Sequence, residues 1–314
     1  DNFEINTTRS PLYPVREDVV KNNEDRIKDM LVKRYSLHEV HSYIWAYADE
    51  QKALGIPVEE NVRLLNATNP NIETLRRSMI PTQLCQVKTN VGYAQDFGIF
   101  EVGRVVDGVD ENNLCKEYKK LAITLYSKTK DVRTLYFELR DMLATIADDL
   151  KHKALGYKIA QAKHSYEHPV NLNTVLLDGE EIGTIGIVHP TVGKKIDKKS
   201  SIVFAEIDMN AFAGVENASI CYEEPSKFPP MDYDISVVVP AGVFYADLEH
   251  CWKNEGKGIL KNTKIVDTYD TELFHSITIR FEFSSAERTL SSGEVQEIMD
   301  KIISNLREIK VTLR

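Results

Sequence analysis

The sequence predicts an α+β protein of two domains, in which a larger mixed domain precedes a small β-α-β-β-α-β domain. Short runs rich in Val, Ile and Phe alternate with helix-type patterns through the first two thirds of the chain. The proline-rich stretch Glu223 to Pro230 then interrupts any regular element, and strand and helix patterns follow it in β-α-β-β-α-β order. We therefore expect domains at residues 1–224 and 225–314.

Composition and charge are those of a soluble globular protein. The 314 residues are 42% hydrophobic and 28% charged, and no apolar run reaches the roughly 18 residues of a membrane span. The net charge of -9 argues against a protein that coats nucleic acid without sequence preference, so any contact with RNA must be confined to a local surface. The four scattered cysteines show neither metal spacing nor a disulfide pattern, which favours a reducing, cytoplasmic setting. Because the chain opens abruptly without a starting Met, we also expect it to be part of a longer protein.

The leading part of the chain is predicted to mix helices with short strands. Apolar spacing favours an amphipathic first helix, and Gly55 ends a second, shorter one. Asn69 can cap the helix that follows it, and Pro70 stands where a missing N–H does no harm. The predicted elements are the helices Glu17–Arg34, Ala48–Leu54 and one through Leu75 and Val87, and the strands Val40–Tyr47, Val62–Leu65 and Phe97–Val106.

The middle of the chain is predicted to hold one strong helix among several strands. Asp131 caps that helix, whose apolar residues recur at helical spacing from Leu135 to Leu150. Residues Asp107 to Glu117 read as a polar loop, and Asp178-Gly179 is a hairpin turn signal. The predicted strands are Leu121–Tyr126, Tyr157–Ala162, Asn173–Leu177, Ile182–Val188 and Ile202–Ile207.

The last domain is predicted to be a four-stranded sheet with two helices. Ser291 and Glu294 form a capping box in front of its final helix. The predicted strands are Asp234–Val239, Ile265–Tyr269, Ser276–Phe283 and Lys310–Arg314, and the first helix contains Ala246–Trp252.

A series of short motifs in the first domain carries a family resemblance. They are Asn69-Pro70, residues 75–81 (Leu-Arg-Arg-Ser-Met-Ile-Pro), Phe100-Glu101-Val102-Gly103-Arg104 and residues 183–190 (Gly-Thr-Ile-Gly-Ile-Val-His-Pro). In this order they resemble the class II synthetase-like module of the phenylalanyl-tRNA synthetase beta subunit. The resemblance implies an antiparallel main sheet and a catalytically silent domain. Gly183 and Gly186 also have a purely structural interpretation, in which they let a strand approach its neighbours and His189-Pro190 ends it.

The last domain carries a second resemblance over its whole length. Its matching residues are Lys227-Phe228-Pro229, Asp234, Asp267-Thr268-Tyr269, residues 287–290 (Glu-Arg-Thr-Leu), Glu294-Val295 and Arg314. They resemble the ferredoxin-like anticodon-binding domain that ends bacterial beta subunits of phenylalanyl-tRNA synthetase. One departure is Tyr233, where the family usually has an arginine, and it puts the detailed tRNA contacts in doubt.

Catalytic residues are not assigned to this chain. A class II active site holds a triphosphate largely through arginines, yet no arginine occurs between Arg140 and Arg280. No phosphate-binding glycine loop with Lys-Ser/Thr is present, and no nucleophile–base pair follows from spacing. His164 and His168 are four residues apart, but Pro169 disfavours a shared helical face, so a metal site there is not favoured.

The sheet of the last domain offers a better candidate site. Strand alternation places Ile235, Val237 and Val239 on an apolar face that the helices must cover, and leaves the other, polar face open. The resemblance assigns anticodon contacts to this same face, at Ser236, Asp267, Tyr269 and Ser276, with Arg280 as a further RNA-binding candidate. Residues 226–314 hold 11 basic and 14 acidic side chains, so this domain alone should bind RNA weakly.

The resemblance implies a non-catalytic part of phenylalanine–tRNA ligase. The expected partners are the alpha subunit and tRNA(Phe), no membrane contact is expected, and the active site lies on the alpha subunit. No cofactor is expected in this chain, while the full (αβ)₂ enzyme uses ATP and Mg²⁺. Two alternatives remain open: a stand-alone paralog that binds tRNA or another RNA, and a scaffold for protein interactions whose sheet does not contact RNA.

Overall fold

The chain divides into two compact units, Asp1–Ile220 and Cys221–Arg314, which are described separately. The dividing point lies four residues before the domain boundary that the proline-rich stretch predicts. The computed structural model describes residues 10–220, 222, 224, 226–256, 258–271 and 274–314. Glu223 and Pro225, which belong to the proline-rich stretch, and Cys221, one of the four cysteines, lie outside the described residues.

The first unit is built on a seven-stranded sheet with the strand order β1-β2-β3-β7-β6-β5-β4. Every neighbouring pair is antiparallel except β1 and β2, which are parallel. The predicted α+β class with a mainly antiparallel sheet is therefore confirmed. In chain order the elements are α1 (Val19–Lys33), β1 (His38–Glu39), α2 (Ala48–Leu54), α3 (Ile80–Asn90), β2 (Asp96–Val109), β3 (Cys115–Ser127), α4 (Val132–Lys151), β4 (Leu155–Ile159), β5 (Glu167–Leu177), β6 (Glu180–Val188), α5 (Pro190–Ile196), β7 (Ser201–Asp208) and α6 (Met209–Gly214).

Both faces of this sheet are covered by helices, so its central strands are apolar on both sides. Val203 belongs to the core under α1, α4 and α6, whereas its neighbour Phe204 belongs to the core under α2, α3 and α5. Successive residues of a strand point to opposite faces, which accounts for this split. The same alternation separates Ala122 from Ile123 in β3.

Several local predictions for the first unit are confirmed. The Asp131 carboxylate accepts hydrogen bonds from the backbone N–H groups of Arg133 and Thr134 and caps α4. Gly55 ends α2 in a left-handed conformation with φ +75°. Asp178 and Gly179 both have positive φ, at 56° and 86°, and connect β5 to β6 as a tight hairpin.

The predicted helix through Leu75 and Val87 is wrong in its first half. The chain makes only a short 3₁₀ turn, Pro70–Ile72, which Asn69 caps, and α3 begins later, at Ile80. Pro81 is tolerated in the first turn of a helix but not further in, because it lacks an N–H group and its ring clashes with the preceding turn. Residues 75 and 76 instead donate backbone hydrogen bonds to neighbouring extended segments.

Two predicted strands and one loop also need correction. Val62–Leu65 contributes a single β-bridge, from Arg63 to Thr74, and Val40–Tyr47 contributes only the bridge from Trp45 to Leu75. The strand that joins the sheet lies just before it, at β1, where His38 pairs with Ile99. Most residues of the predicted loop Asp107–Glu117 belong to β2 or β3, because these two strands remain paired as far as Val109 and Cys115.

The second unit is a four-stranded antiparallel sheet with the order β11-β8-β10-β9. Two helices cover one face, where Leu248 and Trp252 meet Phe281 and Val295 in the core. This arrangement confirms the predicted ferredoxin-like fold. The elements are β8 (Met231–Val239), α7 (Tyr245–His250), β9 (Leu260–Asp270), β10 (His275–Phe283), α8 (Ser292–Glu308) and β11 (Thr312–Leu313).

Two local features of the second unit are the start of its last helix and the irregular edge of its sheet. Ser291 and Glu294 form the predicted capping box at the start of α8. The edge strand β9 loses register with β10 twice, so that Lys261 and Val266 are bulged residues without a partner in the ladder. Among the described residues of the whole chain, no helix is both long and apolar enough to cross a membrane.

Candidate nucleic-acid interface

Strand register brings the five predicted site residues onto one face of the second sheet. Ser236 in β8 pairs with Thr278 in β10, and Thr278 pairs in turn with Asp267 in β9. One pair further along, Ser276 lies opposite Tyr269. Arg280 lies on the same strand as Ser276 and Thr278, two residues beyond Thr278. Because side chains alternate along a strand, these residues point away from the helices, and we call this surface the polar face.

The centre of the polar face is a row of short polar groups. The Ser236 and Thr278 hydroxyls lie 2.8 Å apart, and either can donate the hydrogen bond. The Asp267 side chain is exposed, and one of its oxygens accepts a hydrogen bond from the Thr268 N–H at 2.9 Å. A carboxylate still has acceptor capacity after one such bond, so Asp267 can accept hydrogen bonds from the amino groups of a base.

Arg280 is already engaged by two acidic neighbours. Its guanidinium donates two hydrogen bonds of 2.8 Å to the carboxylate of Asp234, and its third nitrogen lies 3.7 Å from Asp232. The Arg280 guanidinium lowers the pKa of the Asp234 carboxyl by hydrogen bonding, so the pair is charged at neutral pH. As arranged, Arg280 is therefore less available to RNA than its position on the polar face predicts.

Tyr269 carries the aromatic surface of the polar face. Its side chain is 50% exposed, and its ring centre lies 6.4 Å from that of Phe274. The Arg314 guanidinium lies against both rings, 5.0 Å from the centre of Tyr269 and 5.6 Å from that of Phe274. The Arg314 backbone N–H donates to the Ser236 carbonyl at 2.9 Å, which fixes the base of this side chain beside β8.

Ser276 corrects the prediction of a bare polar face. Its side chain has the predicted direction, but the residue is only 2% exposed. Val238 and Tyr269 flank it in the ladder on the two neighbouring strands. Alternation fixes the face on which a residue lies, but it does not reveal how exposed that residue is.

Three further residues contribute to this surface without being among the predicted site residues. Thr278 lies at its centre, and strand alternation identifies it, since it shares the parity of Ser276 and Arg280. Phe274 sits just before β10, where the pattern carried no strand signal. Arg314 is a matching residue of the family resemblance, but no local sequence rule predicts that its side chain reaches Tyr269 on β9.

In the first unit, the motif residues form a buried ionic network. Arg76 and Glu101 are 3% and 2% exposed in their side chains, and their charged atoms lie 2.9 Å apart. Arg76 also donates to the Ser42 hydroxyl at 2.5 Å and to the Arg104 carbonyl at 3.0 Å. Arg104 itself, on the strand at the core motif, turns outward and pairs with Glu117 at 3.0 Å. Arg76 is therefore committed to the structure of the core rather than to a ligand, whereas Arg104 is a surface residue in an exposed ion pair.

A cavity of about 480 Å³ lies over the first sheet. The charges of its lining residues show whether it could hold a triphosphate. Its acidic side chains are Glu167, Glu181, Glu206 and Asp208, whereas its cations are Lys120, Lys158 and Lys163. Lys120 is neutralised by Glu206 at 2.9 Å, and Glu206 also accepts hydrogen bonds from Ser78 and the Met79 N–H. With more carboxylates than cations, these residues do not fit ATP and its metal ion.

The histidines considered as a metal pair have other partners. The His164 ring stacks on Tyr166 with centres 5.2 Å apart, and its Nδ1 contacts Glu59. The His168 Nδ1 instead accepts hydrogen bonds of 3.1 Å from the N–H groups of Val170 and Asn171. Among the residues that the structure describes, no cluster of three or more His, Cys, Asp or Glu side chains is arranged to hold a metal ion.

The glycines of β6 serve the packing of the strands. A Cβ on Gly183 would lie 2.2 Å from the Glu206 carbonyl oxygen, and one on Gly186 would lie 2.6 Å from a Leu172 methyl. His189 then caps α5, with Pro190 in its first turn. The structural interpretation of the Gly-x-x-Gly-x-x-His-Pro run is therefore confirmed.

Comparison with known proteins agrees with this architecture. Residues 7–209 match the model of the phenylalanyl tRNA synthetase beta chain CLM domain, and residues 226–314 match that of the ferredoxin-fold anticodon binding domain. Among curated proteins, the chain is 28% identical over 290 residues to the phenylalanine--tRNA ligase beta subunit of Staphylococcus haemolyticus, covering 88% of this chain and 36% of that protein. It is 26% identical over 280 residues to the same subunit of Bacillus subtilis, covering 84% and 34%.

The two family models together match most of this chain, whereas the chain matches only part of each curated relative. The chain spans about a third of the length of the curated relatives that it matches. The first matched region alone covers more than half of the chain, and the second covers the unit that holds the polar face. This chain therefore belongs to the phenylalanyl-tRNA synthetase beta-chain family.

Proposed function

We propose that this chain is a non-catalytic part of a phenylalanine–tRNA ligase, which packs on the alpha subunit and binds the anticodon stem-loop of tRNA(Phe). The observation that carries the proposal is the grouping of Ser236, Asp267 and Tyr269 on one face of a ferredoxin-fold domain. The complete enzyme would join phenylalanine to tRNA with ATP and Mg²⁺ as a heterotetramer in the cytoplasm. The relatives that carry this name are the source of the assignment.

The chemistry of the polar face suits an unpaired loop better than a duplex. The half-exposed ring of Tyr269 offers a stacking surface, and every base has a π-face. Asp267 accepts hydrogen bonds, so it favours a base edge that presents an amino group. The hydroxyls of Ser236 and Thr278 can donate or accept, which lets them complete the reading of a base edge. Affinity would come in large part from the rest of the assembly, since residues 226–314 carry a net charge of -3.

Two observations support a silent first domain. The cavity over its sheet holds four carboxylates and three lysines, a balance that repels a triphosphate. Arg76, an arginine of the 75–81 motif, is buried against Glu101. We therefore expect no ATP–pyrophosphate exchange by the isolated chain, and clear exchange activity would overturn this part of the proposal.

RNA binding is tested directly by gel shift with tRNA(Phe) or its anticodon stem-loop. We expect Tyr269→Ala to weaken binding by roughly tenfold, since stacking on one base is worth about 1–3 kcal/mol. We expect Asp267→Ala to weaken it as well, because the amino group of a base loses its acceptor. Tyr43→Ala is the matched control, because Tyr43 is 74% exposed but belongs to the first unit. Equal affinity of all four proteins would favour the alternative of a protein-interaction scaffold.

Membership of a synthetase is tested by co-purification. We expect a tagged chain, co-expressed with the alpha subunit of a phenylalanyl-tRNA synthetase, to retain that subunit on the affinity resin. Retention of tRNA without the alpha subunit would instead favour a stand-alone paralog. The two experiments are independent, so each part of the proposal can fail without the other.

A further inference from the structure

The Arg314 side chain occupies the surface where a base would stack. Its guanidinium lies 5.0 Å from the centre of the Tyr269 ring and 5.6 Å from that of Phe274. A stacked base needs the same surface at about van der Waals distance, so the base and the guanidinium cannot occupy this side of the ring together. RNA binding on this side of Tyr269 therefore requires Arg314 to move.

We propose that Arg314 is an RNA-contact residue: it lies against Tyr269 in the free chain and transfers its guanidinium to a backbone phosphate when a base stacks on Tyr269. This inference rests on the proposed function and adds a residue and a mode of binding to it. The ligand is a single-stranded RNA loop, because only an unstacked base can take the place of the guanidinium on the ring.

The relative strengths of the contacts favour this exchange. An exposed cation–π contact changes an equilibrium constant by about 2- to 5-fold, whereas stacking of a base on an aromatic ring changes it by about 5- to 150-fold. A released guanidinium can then bind a phosphate through two parallel hydrogen bonds, which recovers the lost contact. The base gains more from the ring than the cation loses.

The charges around Arg314 leave it free to bind a phosphate. Arg280 is held by Asp234 and Asp232 on the same face, so its charge is already neutralised. Among the described residues, no acidic side chain forms an ion pair with the Arg314 guanidinium, which contacts the rings of Tyr269 and Phe274. Its backbone hydrogen bond to Ser236 anchors the residue beside β8 while the side chain changes position.

The test measures binding of the anticodon stem-loop RNA to the 314-residue chain by fluorescence anisotropy across a salt series. We expect Arg314→Ala to weaken binding about 3- to 10-fold and to reduce the slope of log affinity against log salt by about 0.7, the value of one single-strand phosphate contact. Arg314→Lys should keep the slope and recover part of the affinity, since it retains the charge but not the planar fork. Arg307→Ala, on α8 away from the polar face, removes the same charge and should leave the slope unchanged.

Each outcome decides the matter. Affinity that is unchanged or increased in Arg314→Ala would overturn the proposal, because a side chain that only covers the ring would compete with RNA. An equal loss in Arg307→Ala would also overturn it, since the effect would then be general charge. Failure of the proposed function looks different: the wild-type chain would not bind, or Tyr269→Ala would bind as well as wild type. Thermal unfolding of every variant checks that the fold is retained.

Discussion

Arg76 and Glu101 form an ion pair in the interior of the first unit, with their charged atoms 2.9 Å apart and both side chains at most 3% exposed. The pair ties the motif before α3 to strand β2. Such a pair is costly to break, because the partner that remains is a charge without a counter-ion away from water.

We expect Glu101→Gln to lower the free energy of unfolding by about 3–5 kcal/mol, because Arg76 loses its counter-ion. Urea denaturation of the 314-residue chain measures this change. Glu117→Gln is the matched control, since Glu117 makes an exposed pair with Arg104 and should cost less than about 1 kcal/mol. Similar small losses in both variants would contradict the structural role of the buried pair.

Glu24 on α1 should make stability depend on pH in the acid range. Burial on its own would raise the pKa of the Glu24 carboxyl, but hydrogen bonds from Lys119 and Lys28 outweigh it and lower the pKa to about 2. A folded-state pKa below the unfolded value means that the stabilisation is present above about pH 4.5 and is lost as the pH falls towards 2.

We expect wild type to lose up to about 3 kcal/mol from this group between pH 5 and pH 2, and Glu24→Gln to remove that part of the pH dependence. Chemical denaturation at a series of pH values measures it. Asp25→Asn, at an exposed position of the same helix, should give a profile parallel to wild type. A Glu24→Gln profile as steep as that of wild type would show that Glu24 is not the group responsible.

Gly183→Ala should destabilise the first unit by about 1–3 kcal/mol, because the added methyl overlaps backbone atoms of β7 that cannot move aside. Gly193→Ala is the control: it lies inside α5, a Cβ there meets nothing within 4 Å, and alanine favours a helix. Its stability should stay the same or rise. The two thermal midpoints, compared with wild type, check the prediction, and a neutral Gly183→Ala would contradict the close approach of β6 and β7.

Asp234→Asn should strengthen binding of the anticodon stem-loop about 2- to 5-fold at low salt, because it releases Arg280 from its two hydrogen bonds. Asp300→Asn on α8 makes the same change in net charge away from the polar face. Anisotropy titrations compare the two. An equal gain in both variants would mean that net charge alone is responsible.

The sequence predicted most of this fold because its strongest patterns are local. Capping by Asp131, the Asp178-Gly179 hairpin and the alternation in β8 each depend on a few adjacent residues, and each has the expected geometry. The errors fall where tertiary contacts decide. Residues before Pro81 carry helical spacing but are held as bridges by distant segments, and a pattern within one stretch contains no record of those partners.

The sequence predicts which residues share the polar face, but it does not predict how exposed each of them is. Parity along three strands is enough to place Ser236, Asp267 and Tyr269 on one surface. Ser276 is only 2% exposed, and the Arg314 guanidinium lies against Tyr269, which is 45 positions away in the sequence. Side-chain paths of that kind follow from packing, which no sequence periodicity encodes.

The bulges at Lys261 and Val266 have a consequence for how the second unit meets other chains. An outermost strand offers unpaired amide and carbonyl groups that invite a foreign strand to dock and extend the layer. Two interruptions within one strand break the even spacing that such docking needs, and lysines at 261 and 264 add repulsion between identical edges. The rim formed by β9 is thus protected against self-association, so its neighbouring aromatic surface can remain exposed without promoting fibre growth.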